Sequence, residues 1–117
     1  MIEKQELSEL PSQHNTKLTV RGAKINNYFF LEDIVYIEAD GHYSWFYFKD
    51  QTRFLSSKTL RHYQELLQES GFIRISKFYV INKLHLLHYH IKANQVVLTG
   101  NIKLRVSVRR RKGLEFL

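Results

Sequence analysis

Short runs of apolar residues separated by turn residues make up most of the chain from about residue 16 onward. β-Branched and aromatic residues dominate these runs, and polar or glycine-containing turns divide them, as in an antiparallel β-meander. The pattern predicts ten strands, at residues 17–21, 28–31, 34–39, 42–49, 52–57, 72–76, 79–82, 86–91, 95–98 and 102–106. Thr99-Gly100-Asn101 is expected to form the hairpin turn between the last two strands.

One segment follows a helical period instead. Its apolar residues recur three to four positions apart, which predicts a helix over residues 58–70. Ser57 or Thr59 can cap its start, and Gly71 stands where a left-handed residue commonly ends a helix. The apolar positions are Leu60, Tyr63, Leu66 and Leu67.

The predicted strand at residues 42–49 carries bulky side chains on both faces. Tyr43, Trp45 and Tyr47 fall on one face, and Phe46 and Phe48 fall on the other. We therefore expect this strand to be covered on both sides, by a second sheet or by the helix, with Trp45 and Tyr47 in the core.

Length and composition fit one domain. The chain has 117 residues and no cysteine, which excludes disulfides, thiol catalysis and cysteine-ligated metal sites. Residues 1–15 are polar and hold the only proline, so we interpret them as a tail or linker before a domain at residues 16–117. Because we find no secretory signal and no run of the roughly 20 apolar residues that span a bilayer, we expect a cytoplasmic protein.

Basic charge is concentrated toward the end of the chain. The net charge is +7, and ten of the eighteen Lys and Arg lie in residues 71–117, where Glu115 is the only acidic residue. Repulsion among these like charges does not help folding. The concentration of basic charge therefore indicates an anionic partner, of which nucleic acid and an anionic membrane surface are the first candidates.

Lys77 is the first group that can meet such a partner. In one unbroken strand it would share a face with Ile73 and Ile75, which would bury its ammonium group in the core. The strand is therefore expected to break near Ser76, which leaves Lys77 on an exposed turn. An ordinary solvated turn lysine is the alternative.

The second group is the run Arg109-Arg110-Arg111-Lys112, which follows a candidate helix cap at Ser107. We predict a short C-terminal helix here. Cations near the start of a helix oppose its dipole at about 0.3–1 kcal/mol each, and a bound phosphate would offset that cost. A solvated basic tail is the alternative.

The third group is the turn Asp40-Gly41-His42-Tyr43, whose last two side chains can hydrogen-bond bases or phosphates, although a turn histidine commonly has no such role. His85, His88 and His90 resemble metal ligands, but we find no carboxylate or cysteine to complete a shell, so no metal or cofactor is expected. Since we also find no acid–base pair, phosphate loop or nucleophile motif, we do not expect an enzyme.

RNA binding is the alternative function. Residues 41–48 have a limited resemblance to the aromatic strand of an RNA-recognition motif. However, Asp40 stands where that motif has a cation and Tyr43 replaces a small residue. One central helix also does not give the βαββαβ order.

Three segments together resemble the LytTR family, the DNA-binding domains of LytR- and AlgR-type bacterial transcriptional regulators. They are residues 33–43 (DIVYIEADGHY), the start of the helix through Leu60, and residues 72–82 (FIRISKFYVIN). The resemblance covers roughly residues 17–117. It implies a mainly β fold, an elongated stack of small, mostly antiparallel sheets with about ten short strands, one central helix and a short C-terminal helix.

The resemblance also implies sequence-specific binding of double-stranded DNA through loops that enter successive major grooves. By position, base contacts fall on His42, Lys77, Arg109 and Arg110. The arginines and Lys77 can pair with guanine O6 and N7, and His42 can pair with a base donor or acceptor. Phosphate contacts are expected from Tyr43, Lys58, Arg61, Ser76, Arg111 and Lys112, of which Lys58, Arg61 and Lys112 match family positions.

The chain also departs from the family pattern. Ser76 stands where histidine is usual and Phe78 where serine is usual, so the second loop is expected to contact DNA differently. Family members commonly follow a receiver domain in a two-component response regulator. We expect either a stand-alone regulator or the effector half of a longer protein controlled by a sensor kinase. Two copies are expected on paired direct repeats of DNA, and no membrane partner is expected.

Overall fold

The computed structural model describes residues 16–22 and 24–114. The predicted tail at residues 1–15 lies outside the described residues. The strands are β1 (Lys17–Arg21), β2 (Asn26–Phe30), β3 (Ile34–Asp40), β4 (Tyr43–Phe48), β5 (Arg53–Ser56), β6 (Phe72–Arg74), β7 (Tyr79–Asn82), β8 (Leu86–His90), β9 (Gln95–Leu98) and β10 (Ile102–Arg105). The α-helix α1 is Leu60–Leu67, and 3₁₀ helices span Leu31–Asp33, Gln68–Ser70, Lys83–His85 and Val108–Leu114.

All of the predicted strands are present, and their ends differ from prediction by no more than one or two residues. The predicted helix is shorter than expected, since α1 ends at Leu67 and a 3₁₀ turn continues to Ser70. Thr59 is the cap, because its hydroxyl accepts the His62 N–H at 3.2 Å. Gly71 has φ +90°, the left-handed conformation predicted for the end of the helix.

The strands form three antiparallel sheets, which confirms the predicted mainly β stack. The central sheet has the order β5-β4-β3-β7-β6, and β1-β2 and β10-β9-β8 form the other two. A simple meander would pair only consecutive strands, whereas β7 also lies beside β3. The domain measures 45 × 36 × 24 Å, so it is elongated, as the family resemblance implied.

Both faces of the central sheet carry a hydrophobic core. On one face α1 packs Leu60, Tyr63 and Leu67 against the sheet together with β1. Burial of each such side chain contributes about 1.5–3 kcal/mol. Leu66, predicted on the same stripe, is 52% exposed because it lies at the margin of the buried face. On the other face β9 and β10 contribute Val96, Leu98 and Leu104 to a second core.

The expected burial of β4 on both faces is wrong. Ser44, Phe46 and Phe48 are buried under α1 and the β1–β2 sheet. Trp45 and Tyr47, on the opposite face, are only half-buried and do not belong to either core. The reason is tertiary, since the β8–β10 sheet packs over β3, β6 and β7 and stops short of β4.

Candidate nucleic-acid interface

Antiparallel pairing brings two of the predicted loops to one end of the central sheet. We call residues 41–43 loop 1 and residues 75–78 loop 2. β3 runs into loop 1, β7 starts from loop 2, and the two strands pair antiparallel. A backbone hydrogen bond of 2.8 Å from the Ala39 N–H to the Phe78 carbonyl extends this pairing to the loops. Loops 1 and 2 therefore lie side by side.

Loop 3, residues 107–110, is attached to loop 2. The Ser107 N–H donates to the Ile75 carbonyl at 2.9 Å, and the Ser107 carbonyl accepts the Arg110 N–H at 3.0 Å. The predicted short C-terminal helix follows as the 3₁₀ helix Val108–Leu114. Leu114 is 3% exposed and anchors this helix in the second core. A backbone hydrogen bond thus joins loops 2 and 3, and loop 1 lies beside loop 2 at the end of the paired strand β3.

Loop 1 presents two polar side chains to solvent. Gly41 and His42 form the turn between the paired residues Asp40 and Tyr43. Gly41 has φ +61°, a conformation that glycine adopts without the strain other residues incur. His42 is exposed, and Tyr43 is 49% exposed.

Loop 2 confirms the predicted break in the strand. β6 ends at Arg74, and Lys77 lies exposed on the turn before β7. Its ammonium group lies 5.1 Å from the ring centroid of Phe78. Ser76 is only 8% exposed, and its hydroxyl accepts the Phe78 N–H at 3.0 Å. Most of the Ser76 side chain is therefore used to build the turn.

Two of the expected phosphate ligands lie at the start of α1. The Lys58 carbonyl accepts the Ser44 hydroxyl at 2.8 Å, and because Ser44 follows loop 1 directly, Lys58 lies beside that loop. Arg61 is exposed and pairs with Glu65 at 3.3 Å. An exposed pair of this kind contributes only about 0.3–0.5 kcal/mol, so the guanidinium is available to an incoming anion.

A groove of about 420 Å³ lies between α1, β6 and the C-terminal 3₁₀ helix, and we call it the basic groove. Five cationic side chains line it, and its described lining contains no carboxylate. Burial first, and then the nearby Arg110 guanidinium, lower the pKa of Arg74. The cations are Arg74, Lys83, Arg109, Arg110 and Lys112.

The side chains of the basic run, residues 109–112, do not all line the same groove. Arg109, Arg110 and Lys112 line the basic groove, whereas Arg111 lines a separate groove beside β8, together with Leu114. Sequence reasoning missed Arg74 and Lys83 as neighbours of this run. Neither residue stands out in the sequence, because only the fold brings them to residues 109–112.

The histidines considered as metal ligands do not converge. His85 is buried, and its ring nitrogens lie 2.6 Å from the Glu32 carbonyl and 3.0 Å from the Thr99 hydroxyl. Within residues 16–22 and 24–114, no group of three or more histidine or acidic side chains is placed to hold a metal ion. Over the same residues, no helix has the length and apolar character needed to cross a membrane.

A mainly β domain that joins three polar loops beside a cation-lined groove has the features of a polyanion-binding module. A family model described as the LytTr DNA-binding domain matches residues 27–117. The chain belongs to the LytTR family of DNA-binding domains. This family is defined by DNA binding in transcription regulation and not by catalysis.

The fold is also similar to a solved structure. This is the LytTr DNA-binding domain of a putative methyl-accepting/DNA response regulator from Bacillus cereus, with a TM-score of 0.71 at 17% sequence identity. The similarity covers 86% of this chain and 97% of that chain. At this identity the likeness supports the fold alone. No curated protein matches the chain.

Proposed function

We propose that this domain binds double-stranded DNA sequence-specifically in a bacterial cell and regulates transcription by reading the major groove through loops 1, 2 and 3. The observation that carries the proposal is the placement of the three loops next to one another beside the basic groove.

Base reading is assigned to exposed or half-buried polar groups on the loops. Arg109 and Arg110 carry planar forks that match guanine O6 and N7, Lys77 can contact the same acceptors, and His42 can donate or accept. Phosphate contacts are assigned to Tyr43, Lys58, Arg61, Ser76 and Lys112. Ser76 would use its hydroxyl hydrogen, since its oxygen already accepts a backbone N–H. Arg111 lines the groove beside β8. We therefore propose no DNA contact for Arg111, although the sequence led us to expect a phosphate contact there.

The cellular setting follows from the same proposal. Residues 16–117 would act as the effector domain of a cytoplasmic regulator, alone or attached to a receiver domain under a sensor kinase. Two copies would bind paired direct repeats. The Bacillus cereus neighbour is itself named as part of a response regulator, which supports a receiver partner.

Competition of a random duplex library against single-stranded DNA and RNA at physiological salt tests the function. The expected result is enrichment of a short duplex sequence over both single strands. Binding to all duplexes alike would refute sequence-specific reading. Preference for single-stranded RNA, with affinity lost on Trp45→Ala through lost base stacking, would establish the alternative function.

Variants of the basic run separate the two kinds of contact. Arg109→Ala is expected to cost about 1–3 kcal/mol on the selected site and to relax preference at one base pair. Lys112→Ala should weaken all duplexes alike and reduce the slope of log affinity against log salt by about one unit. Arg111→Ala is the matched control, expected to leave both unchanged. A slope change in Arg111→Ala as large as in Lys112→Ala would contradict the assigned orientation of the run.

A further inference from the structure

The guanidinium group of Arg74 binds the backbone of loop 2. Its guanidinium Nε donates to the Ser76 carbonyl at 2.6 Å, and Nη2 donates to the Lys77 carbonyl at 2.8 Å. These carbonyls belong to successive residues of the turn that presents Lys77, and neither lies in a strand. A planar guanidinium has its donors in a fixed fork, so two such bonds fix the orientation of the peptide between them.

Arg74 is itself fixed from the helix. Its third bond, from Nη1, reaches the Gln64 side-chain oxygen on α1 at 2.8 Å. The guanidinium therefore links α1 to loop 2, although Gln64 and Ser76 are twelve positions apart in the chain. All three acceptors are neutral, so Arg74 keeps its positive charge without a carboxylate among these partners.

The same residue lies against loop 3. The Ile75 carbonyl, next to Arg74 in sequence, accepts the Ser107 N–H at 2.9 Å. Arg74 and Arg110 both line the basic groove, and their charges are close enough for Arg110 to contribute to the lowered pKa of Arg74. Movement of Arg74 would therefore change the position of loop 2 relative to both α1 and loop 3.

We propose that Arg74 is a positioning residue for DNA recognition, which orients Lys77 toward the bases by clamping the Ser76 and Lys77 carbonyls to Gln64 of α1. This inference rests on the proposed function, because it assigns Lys77 a base contact. Arg74 acts through the loop backbone. Its contribution is therefore to sequence preference and not to general attraction for phosphates.

The main test is a double-variant cycle on the selected duplex. Arg74→Lys keeps the charge but replaces the fork with a single ammonium group. Alone it should lower preference at the base pairs that depend on Lys77 by about tenfold, as for loss of one base contact. Combined with Lys77→Ala, it should lower that preference no further than Lys77→Ala alone. Additive losses would overturn the proposal.

Two further measurements separate positioning from other roles. The salt slope should be unchanged in Arg74→Lys and also in Gln64→Ala, which removes the helix anchor and should reduce the same base preference more weakly. Gln68→Ala, in the same groove, is the control and should change neither quantity. A uniform loss on Gln64→Ala across all duplexes, with preference unchanged, would refute the clamp.

The free protein supplies a readout independent of DNA. The Phe78 N–H is bonded to the Ser76 hydroxyl, and its hydrogen exchange should accelerate in Arg74→Lys and Gln64→Ala but not in Gln68→Ala. Unchanged exchange in the first two variants would overturn the clamp even if they bind DNA normally. If the wild-type chain shows no duplex preference while exchange still responds, the proposed function fails and the link to base reading fails with it.

Discussion

Asn82 offers a test of how much buried side-chain hydrogen bonds contribute to the stability of the fold. It is the last residue of β7, fully buried, and its side-chain amide donates to the Leu31 and Ile34 carbonyls at 3.1 and 2.9 Å. Its side-chain oxygen accepts the Leu84 N–H at 3.0 Å. Asn82→Ala removes all three bonds at once, and it leaves two carbonyls and one N–H without these partners.

The magnitude follows from those three bonds. A neutral hydrogen bond contributes about 0.5–1.5 kcal/mol net, and a buried group left unsatisfied costs about 1–3 kcal/mol. Three bonds lost together give an expected loss of about 3 kcal/mol in the free energy of unfolding. For a domain of this size, each kcal/mol lowers the Tm by about 4–8 °C, so a fall of about 15 °C is expected.

Urea unfolding followed by tryptophan fluorescence measures this loss through the shift in midpoint at constant m. Asn26→Ala is the control, because Asn26 is exposed at the start of β2, and its change should stay within about 0.5 kcal/mol. Asn82 lies at the end of β7 away from loop 2, so the base preference of the folded molecules should be retained. A loss below about 1 kcal/mol in Asn82→Ala would refute the argument, since the three bonds would not be contributing.

Two further predictions concern loop 1 and alkaline pH. An added Cβ at Gly41 would meet no atom within 4 Å, so Gly41→Ala should fold, with backbone strain of about 1–2 kcal/mol, and lose the base preference that depends on His42 in a library selection. Gly41→Asn should retain more of that preference, and equal behaviour of the two variants would refute the strain argument. Burial, the largest cause, raises the pKa of Tyr36. The neutral phenol therefore contributes its full stabilisation of the fold below a pH of about 10, and this contribution is lost as pH rises through the folded-state pKa. As pH rises from about 8 to about 11, on either side of the usual phenol pKa, the urea midpoint should therefore fall less steeply in Tyr36→Phe than in the wild-type protein. Parallel curves for the two proteins would contradict this prediction.

The sequence predicted every strand because each apolar run is bounded by turn residues, and that signal is local. Lys77 was also predicted correctly on an exposed turn, since a strand through it would have buried a charge. Trp45 was predicted wrongly as a core residue. Its strand face has the composition of a buried one, but which sheet covers which face depends on tertiary packing. The clamp at Arg74 was missed for the same reason, as Gln64 reaches it from a separate element.

The period of the C-terminal 3₁₀ helix explains why the cations of the basic run do not all line one groove. A 3₁₀ helix has three residues per turn, so side chains three positions apart share a face. Arg109 and Lys112 share one face and line the basic groove, while Arg111 shares a face with Leu114 and lines the groove beside β8. Because Leu114 is buried in the second core, it fixes the rotation of the helix and directs Arg109 and Lys112 toward Arg74. One apolar residue thus decides which cations of the run line the basic groove.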